Sequence, residues 1–307
     1  MRILVLGAGA VGGYFGGRMA AAGSDVTFLV REKRAAQLSN GLKIESPRGD
    51  VTVDVKTLTI GTVGESFEVI ILSCKAYGLT GALEAIAPYV SDGTVILPLL
   101  NGYAHVEQLE QRFPSAIVSG GTAGIAVTLT EDGTVLHISR NQVIAVGSRQ
   151  RDSSSQGMLE ALVSEMKRAD IDATLSTNID LALWEKWTFL ATLAASTCLM
   201  RSSIGEILAT DHGETLIAGF FDECNSTASA EGYPPGPSPA QDYRSILFDR
   251  KSTAAASMLR DLETGKPTEA DHILGDMIER ATRHGIETPF LQTAYTHLQV
   301  YENQRHP

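Results

Sequence analysis

Three cysteines in 307 residues, Cys74, Cys198 and Cys224, are too few and too far apart for a disulfide framework or a zinc pattern. Reduced, buried thiols in a cytoplasmic protein are the expectation. Positive charge is also scarce: 25 Lys and Arg against 36 Asp and Glu leave a formal net charge of -11, which argues against nucleic acid or an anionic membrane as partner. Long apolar runs are missing too. The most apolar stretch, residues 188–200, is short and carries Thr and Ser, so no membrane span is expected. The N-terminal residues lack the basic segment and apolar stretch of a secretory signal. The seven histidines are scattered without ligand spacing, so no metal site and no Ser-His-Asp constellation is expected. What remains is a globular composition, on a chain long enough for about two domains and a sizeable core.

What is abundant is glycine, and its placement is informative. Residues 2–18 read RILVLGAGAVGGYFGGR. An apolar run at 3–6 enters Gly7-Ala8-Gly9-Ala10-Val11-Gly12, and residues suited to a helix follow. A buried strand feeding a G-x-G-x-x-G turn and then a helix is the setting of a dinucleotide site. Gly7 allows the tight turn, Gly9 lets a pyrophosphate approach the backbone, and Gly12 lets the helix pack on the sheet. The helix start then offers unpaired N–H groups and a positive dipole end.

Residues 26–30 form a second strand, VTFLV, ending at Arg31. A basic residue at that strand end accommodates the 2′-phosphate of NADP, where an acidic one would bind the ribose of NAD. Arg31, Lys33 and Arg34 also oppose the dipole of the helix they enter. NADP(H) is therefore the expected cofactor; the other reading is a solvated basic face, which Glu32 supports. Residues 42–55 alternate around Ser-Pro-Arg-Gly-Asp and predict a β-hairpin ahead of the next core strand. Apolar strands follow at 69–74 and 95–100. Another starts at 116–119 and ends in Gly120-Gly121-Thr122. Lys75, Asn101 and Thr122 thus stand beyond carboxyl ends of strands, where open α/β sheets bind ligands, although each also suits a turn. Residues 125–146 read as an antiparallel meander broken at Glu-Asp-Gly and Ser-Arg-Asn; 150–156 as linker; 158–168 as an amphipathic helix; 171–175 as a last strand.

From Asn178 onward only helices are expected: a long one capped at Ser176 or Asn178 and running to Met200, others at 211–231 and 252–263, one capped by Thr268 and ending at Gly285, and a last one opened by Pro289. Residues 233–239 read as a Pro-rich loop. The pattern predicts an α/β domain, residues 1–175, and an all-helical domain, residues 176–307. The cleft between two such domains commonly holds the active site. The helical part has apolar surface enough for a homodimer.

Lys186 stands in LALWEKWTFLATLAAST among apolar neighbours. It either snorkels to solvent or aims into a cleft, where its ammonium could protonate a carbonyl oxygen as a hydride arrives. Glu269 suits a helix start as a dipole partner, and Ser257 reads as a packing residue.

Together these segments resemble the ketopantoate reductase (2-dehydropantoate 2-reductase) family over nearly the whole length. The resemblance rests on GAGAVG at 7–12, Arg31, SCKAY around Lys75, LLNG around Asn101, WEK at 184–186, SMLRDLETGKPTEADHI at 257–273 and the closing ERATRHGIETP. It implies a Rossmann-type doubly wound sheet, an all-helical C-terminal domain, and reduction of a small-molecule 2-oxo acid by NADPH. By position it implies Lys186 as general acid, Glu269 as holder of the substrate hydroxyl and of Lys186, Asn101 near nicotinamide and substrate, Ser257 at the substrate carboxylate, and Lys75 near the nicotinamide ribose. The glycine loop and Arg31 complete the implied cofactor set, and the strand-end position alone adds Thr122 as a cofactor candidate. The family's lysine helix usually carries asparagines four and eight residues after the lysine; here Leu190 and Ala194 stand there. That difference points to a related, less polar 2-oxo acid. It also motivates a second class of function, a nucleotide-binding regulator without turnover.

Overall fold

The computed structural model describes residues 1–62, 64–149, 155–236 and 243–305. The chain divides into two compact units, residues 1–100 with 105–179, and residues 101–104 with 180–307.

The first unit is built on β1 (Arg2–Leu6), α1 (Ala10–Ala21), β2 (Asp25–Val30), α2 (Glu32–Leu38), β3 (Leu42–Glu45), β4 (Val51–Val53), β5 (Lys56–Thr59), β6 (Val69–Leu72), α3 (Leu79–Ile86), β7 (Val95–Pro98), α4 (Ala104–Arg112), β8 (Ile117–Leu129), β9 (Val135–Ser148), α5 (Gln156–Arg168) and β10 (Asp172–Leu175). The strands form one sheet in the order β4-β3-β9-β8-β7-β6-β1-β2-β5, with β10 on β9. Its centre, β7-β6-β1-β2, is parallel. Alternate side chains of β1 enter opposite faces: Ile3 and Val5 join a core with Phe15 and Leu159, whereas Leu4 and Leu6 join one with Leu79, Ile86, Val106 and Leu109. The unbroken apolar run at residues 3–6 of β1 is what a sheet covered on both faces requires. This is a Rossmann-type doubly wound domain.

Several local expectations are corrected. Gly120, Gly121 and Thr122 do not end a strand. The chain continues through them as β8, where Thr122 pairs with Ala145 of β9. A Cβ at Gly121 would lie 2.8 Å from the Pro98 carbonyl, so glycine there serves a close strand crossing rather than a turn. Ser139-Arg140-Asn141 marks a real irregularity, though not a strand end: β9 runs on through it, while the β8–β9 register steps from Ile125–Gln142 to Val127–His137 and leaves residues 138–141 as a bulge. The hairpin at 42–55 forms as expected, as β3 and β4 ahead of the core strand β6, and β3 also pairs with β9. Lys56–Thr59, polar and unforeseen, adds an edge strand beside β2. Most of the expected linker at 150–156 and the end of the Pro-rich loop lie outside the described residues.

The second unit is helical among its described residues: α6 (Ile179–Met200), α7 (Ile204–Leu208), α8 (Gly213–Ala230), α9 (Tyr243–Leu247), α10 (Ser257–Glu263), α11 (Asp276–Arg283) and α12 (Pro289–Arg305). Helix α10 starts at Ser257, not at 252. A π turn, Asp271–Gly275, leads into α11. Thr268 does not cap it: its N–H and hydroxyl both donate to Glu302 Oε1, at 2.6 and 2.7 Å. No helix among the described residues is long and apolar enough to cross a membrane.

Candidate active site

The glycine turn has the form its spacing predicts. Gly7 takes a φ of +87°, open to glycine and strained for other residues, and its N–H donates to Leu29 O at 2.9 Å, tying the turn to β2. A Cβ on Gly12 would run into Ser73 Oγ and come within 2.5 Å of the Gly7 carbonyl. A Cβ on Gly9 would meet nothing within 4 Å, so the backbone is open to approach there. Gly9 caps α1 without a side-chain hydrogen bond and no acidic residue occupies the first turn. The loop therefore fits the pyrophosphate of a dinucleotide. Arg31 follows β2 as the exposed residue ahead of α2, and Lys75, half-buried, follows β6 just ahead of a single 3-10 turn. Thr122 stands inside β8 and loses the strand-end argument.

In the second unit, one helix and two turns converge. Lys186 lies on α6, half-buried as a residue. Burial pulls its amine down to about 8, and the nearby Glu269 carboxylate opposes that fall. Glu269 is itself buried, just ahead of the π turn. The same carboxylate acts on His272, whose imidazole burial holds below its ordinary value against Glu269 and a hydrogen bond to the Asn101 backbone. Asn101 is thereby brought to the group that carries Lys186 and Glu269. The turn after it is tight: Gly102 has a φ of +82°, and a Cβ there would stand 2.7 Å from His272 Cδ2.

An aromatic wall supports this arrangement. Tyr103 lies 5.3 Å from Trp184 and 6.4 Å from Trp187, and its hydroxyl donates to Asp180 at 3.0 Å. Arg280 packs over all three rings at 5.2–5.7 Å and pairs with Asp276 and Glu231 at 2.9 and 3.0 Å. Trp187 Nε1 donates to Ile273 O at 3.0 Å. Ser257 is exposed at the start of α10. Leu190 is half-buried and Ala194 buried on α6. Tyr103 and His272 carry no sequence signal that places them here, and Arg34 is marked in the sequence only as one of three basic residues ahead of and within α2.

Among the described residues no cluster of three or more His, Cys, Asp or Glu could hold a metal. No disulfide joins the cysteines, and burial pushes the Cys198 and Cys224 thiols up to about 12, far from thiolate reactivity.

A Rossmann-type domain with an open glycine turn, and a helical domain holding a desolvated lysine beside a carboxylate, define a dinucleotide-type oxidoreductase. The family model for ketopantoate reductase PanE/ApbA matches residues 3–151, and that for the ketopantoate reductase PanE/ApbA C terminal matches residues 178–302. The chain belongs to this family. An uncharacterized oxidoreductase, YkpB, of Bacillus subtilis is 36% identical, with 99% of this chain and 100% of that protein covered. A 2-dehydropantoate 2-reductase of Halobacterium salinarum is 26% identical, covering 95% and 96%. The crystal structure of 2-dehydropantoate 2-reductase from Geobacter metallireducens superposes with a TM-score of 0.85 at 29% identity, covering 97% and 99%.

Proposed function

We propose that the protein reduces a 2-oxo acid to the 2-hydroxy acid with NADPH, and that Lys186 is the general acid. The observation that carries this reading is the lysine itself: a buried amine beside a buried carboxylate, with its proton held at about 8, is a donor matched to neutral pH. Residues 1–175 serve as the cofactor domain and 176–307 as the catalytic domain. The loop Gly7–Gly12 holds the pyrophosphate with its N–H groups, Arg31 takes the 2′-phosphate, and Lys75 and Asn101 serve the nicotinamide end.

When bound, the dinucleotide supplies the hydride to the carbonyl carbon. Lys186 donates a hydrogen bond to the carbonyl oxygen and releases its proton there as negative charge grows. Glu269 keeps the ammonium charged against desolvation, orients it, and accepts a hydrogen bond from the product hydroxyl. Ser257 and Asn101 bind the substrate's polar ends. Leu190 and Ala194, where the family usually places asparagine, favour a substrate less polar than 2-dehydropantoate.

NADPH oxidation across a panel of 2-oxo acids, with 2-dehydropantoate first, tests the reading. Reduction of at least one acid by the wild type and its loss in Lys186→Ala, with NADPH affinity kept, is expected. NADPH binding without reduction of any acid on the panel would overturn it in favour of a regulator.

A further inference from the structure

Among the basic residues that follow β2, Arg31 is exposed, but Arg34 turns inward. Its Nε donates to the Ala8 carbonyl at 2.8 Å, and its Nη1 donates to the Gly133 carbonyl at 2.9 Å and to Gln37 Oε1 at 3.2 Å. Ala8 is the residue between the first two glycines of the cofactor turn, and Gly133 lies at the tip of the β8–β9 hairpin. One guanidinium thus joins the turn, the first helix after β2 and a hairpin tip 99 residues later in the chain.

The hairpin tip is built to receive it. Asp132 accepts hydrogen bonds from the hydroxyls of Thr130 and Thr134 and from the Thr134 N–H, which hold its carboxyl below the usual carboxylate range. Gly133, at a φ of +90°, leaves the space that Arg34 fills: a Cβ there would collide with Nη1. The remaining terminal nitrogen, Nη2, is buried and has no acceptor among the described residues. In a planar guanidinium one Nη2 hydrogen runs parallel to Nε–H, so this spare donor lies along the edge that faces Ala8.

The Ala8 peptide is flanked by glycines on both sides and is easily rotated. A carbonyl that swung toward a pyrophosphate would set like partial charges against each other. Arg34 holds that carbonyl with a charge-assisted bond that no physiological pH removes. We propose that Arg34 is a positioning residue of the dinucleotide site: by holding the Ala8 and Gly133 carbonyls together it locks the glycine turn in its receiving shape, for either cofactor and independently of the 2′-phosphate. The assignment rests on the reading that this turn binds NADP(H).

Binding of NADPH and NADH, followed by the fluorescence of the bound reduced nicotinamide alongside thermal melting, separates the two ideas. Arg34→Gln is expected to raise Kd for both dinucleotides by about tenfold, the loss of one charge-assisted hydrogen bond. Arg34→Lys, which keeps the charge but cannot span two carbonyls as a fork, is expected to restore less than half of that loss on a logarithmic scale. Gly133→Asn tolerates the backbone better than alanine, leaves Arg34 in the chain and displaces its guanidinium; it is expected to weaken both dinucleotides alike and covers the case in which Arg34→Gln fails to fold. A lowered melting temperature with unchanged Kd values would reduce Arg34 to a structural residue and overturn the proposal. So would a loss confined to NADPH, or full rescue by lysine. If the wild type binds neither dinucleotide, the cofactor reading falls first and takes the proposal with it.

Discussion

The indole nitrogen of Trp187 reaches 3.0 Å to the carbonyl of Ile273 and fastens the helix of Lys186 to the turn that follows Glu269. Both residues are buried, so the bond forms away from water. Lys186 and His272 are each next in the chain to one end of this bond.

Trp187→Phe keeps most of the ring and removes the donor. The Ile273 carbonyl then loses its partner in an interior site, at a cost of about 1–3 kcal/mol in chemical unfolding. Turnover is expected to fall further than the affinity for NADPH, because the bond holds the helix of the proposed general acid Lys186 to the turn after Glu269. Equal changes in the two would show that the indole matters only for folding.

In the proposed role of general acid Lys186 acts in its protonated form, so the rate is expected to fall as pH rises through about 8. Glu269→Gln removes the charge that opposes desolvation, and the descending limb of the pH profile moves to lower pH. A limb that stays in place would separate the two residues. Lys186→Ala is expected to lower turnover by about 10²-fold or more.

The same lysine is a cost to the fold. The unfolded chain holds this proton up to the ordinary 10.5, while the folded chain releases it at about 8. Between those values the unfolded state binds more protons, so stability rises as pH climbs through the window, and below it the penalty is complete. Lys186→Met is expected to stabilise the protein at neutral pH by about 1–3 kcal/mol, after allowing for the residue's partial exposure. The gain should shrink in melting curves above pH 8.

Arg31 is exposed and lies ahead of α2. Arg31→Ala is expected to weaken NADPH by about tenfold or more and to leave NADH nearly unchanged, since only the former carries the 2′-phosphate. Competition binding with the two cofactors measures the ratio; equal losses would remove the residue from cofactor choice.

Leu190→Asn restores a polar group one turn beyond the lysine. It is expected to raise kcat/KM for 2-dehydropantoate about tenfold relative to a 2-oxo acid without the hydroxyl. An unchanged ratio would place Leu190 away from the substrate.

Much of the first unit was legible because its signals are short-range. Buried parallel strands need unbroken apolar runs, and 3–6, 69–72 and 95–98 have them. Lys56–Thr59 was invisible because an edge strand with exposed lysine and threonine has no apolar pattern. The glycines at 120–121 misled for a related reason: glycine marks turns and close crossings alike, and only the neighbouring strand tells them apart. Thr268 looked like a helix cap until Glu302, more than thirty residues later, took both of its donors.

By itself the amino-acid order determined the strand, glycine turn and helix of the cofactor loop and the change from sheet to helices, since each depends on neighbours within a few positions, and the family, through the order of short motifs along the chain. Tertiary structure alone decided that Lys186 is desolvated beside Glu269, that His272 meets Asn101, and that Arg34 turns inward while Arg31 does not. Those are contacts between segments far apart along the chain, and the free energy of a charge is set by what surrounds it in space.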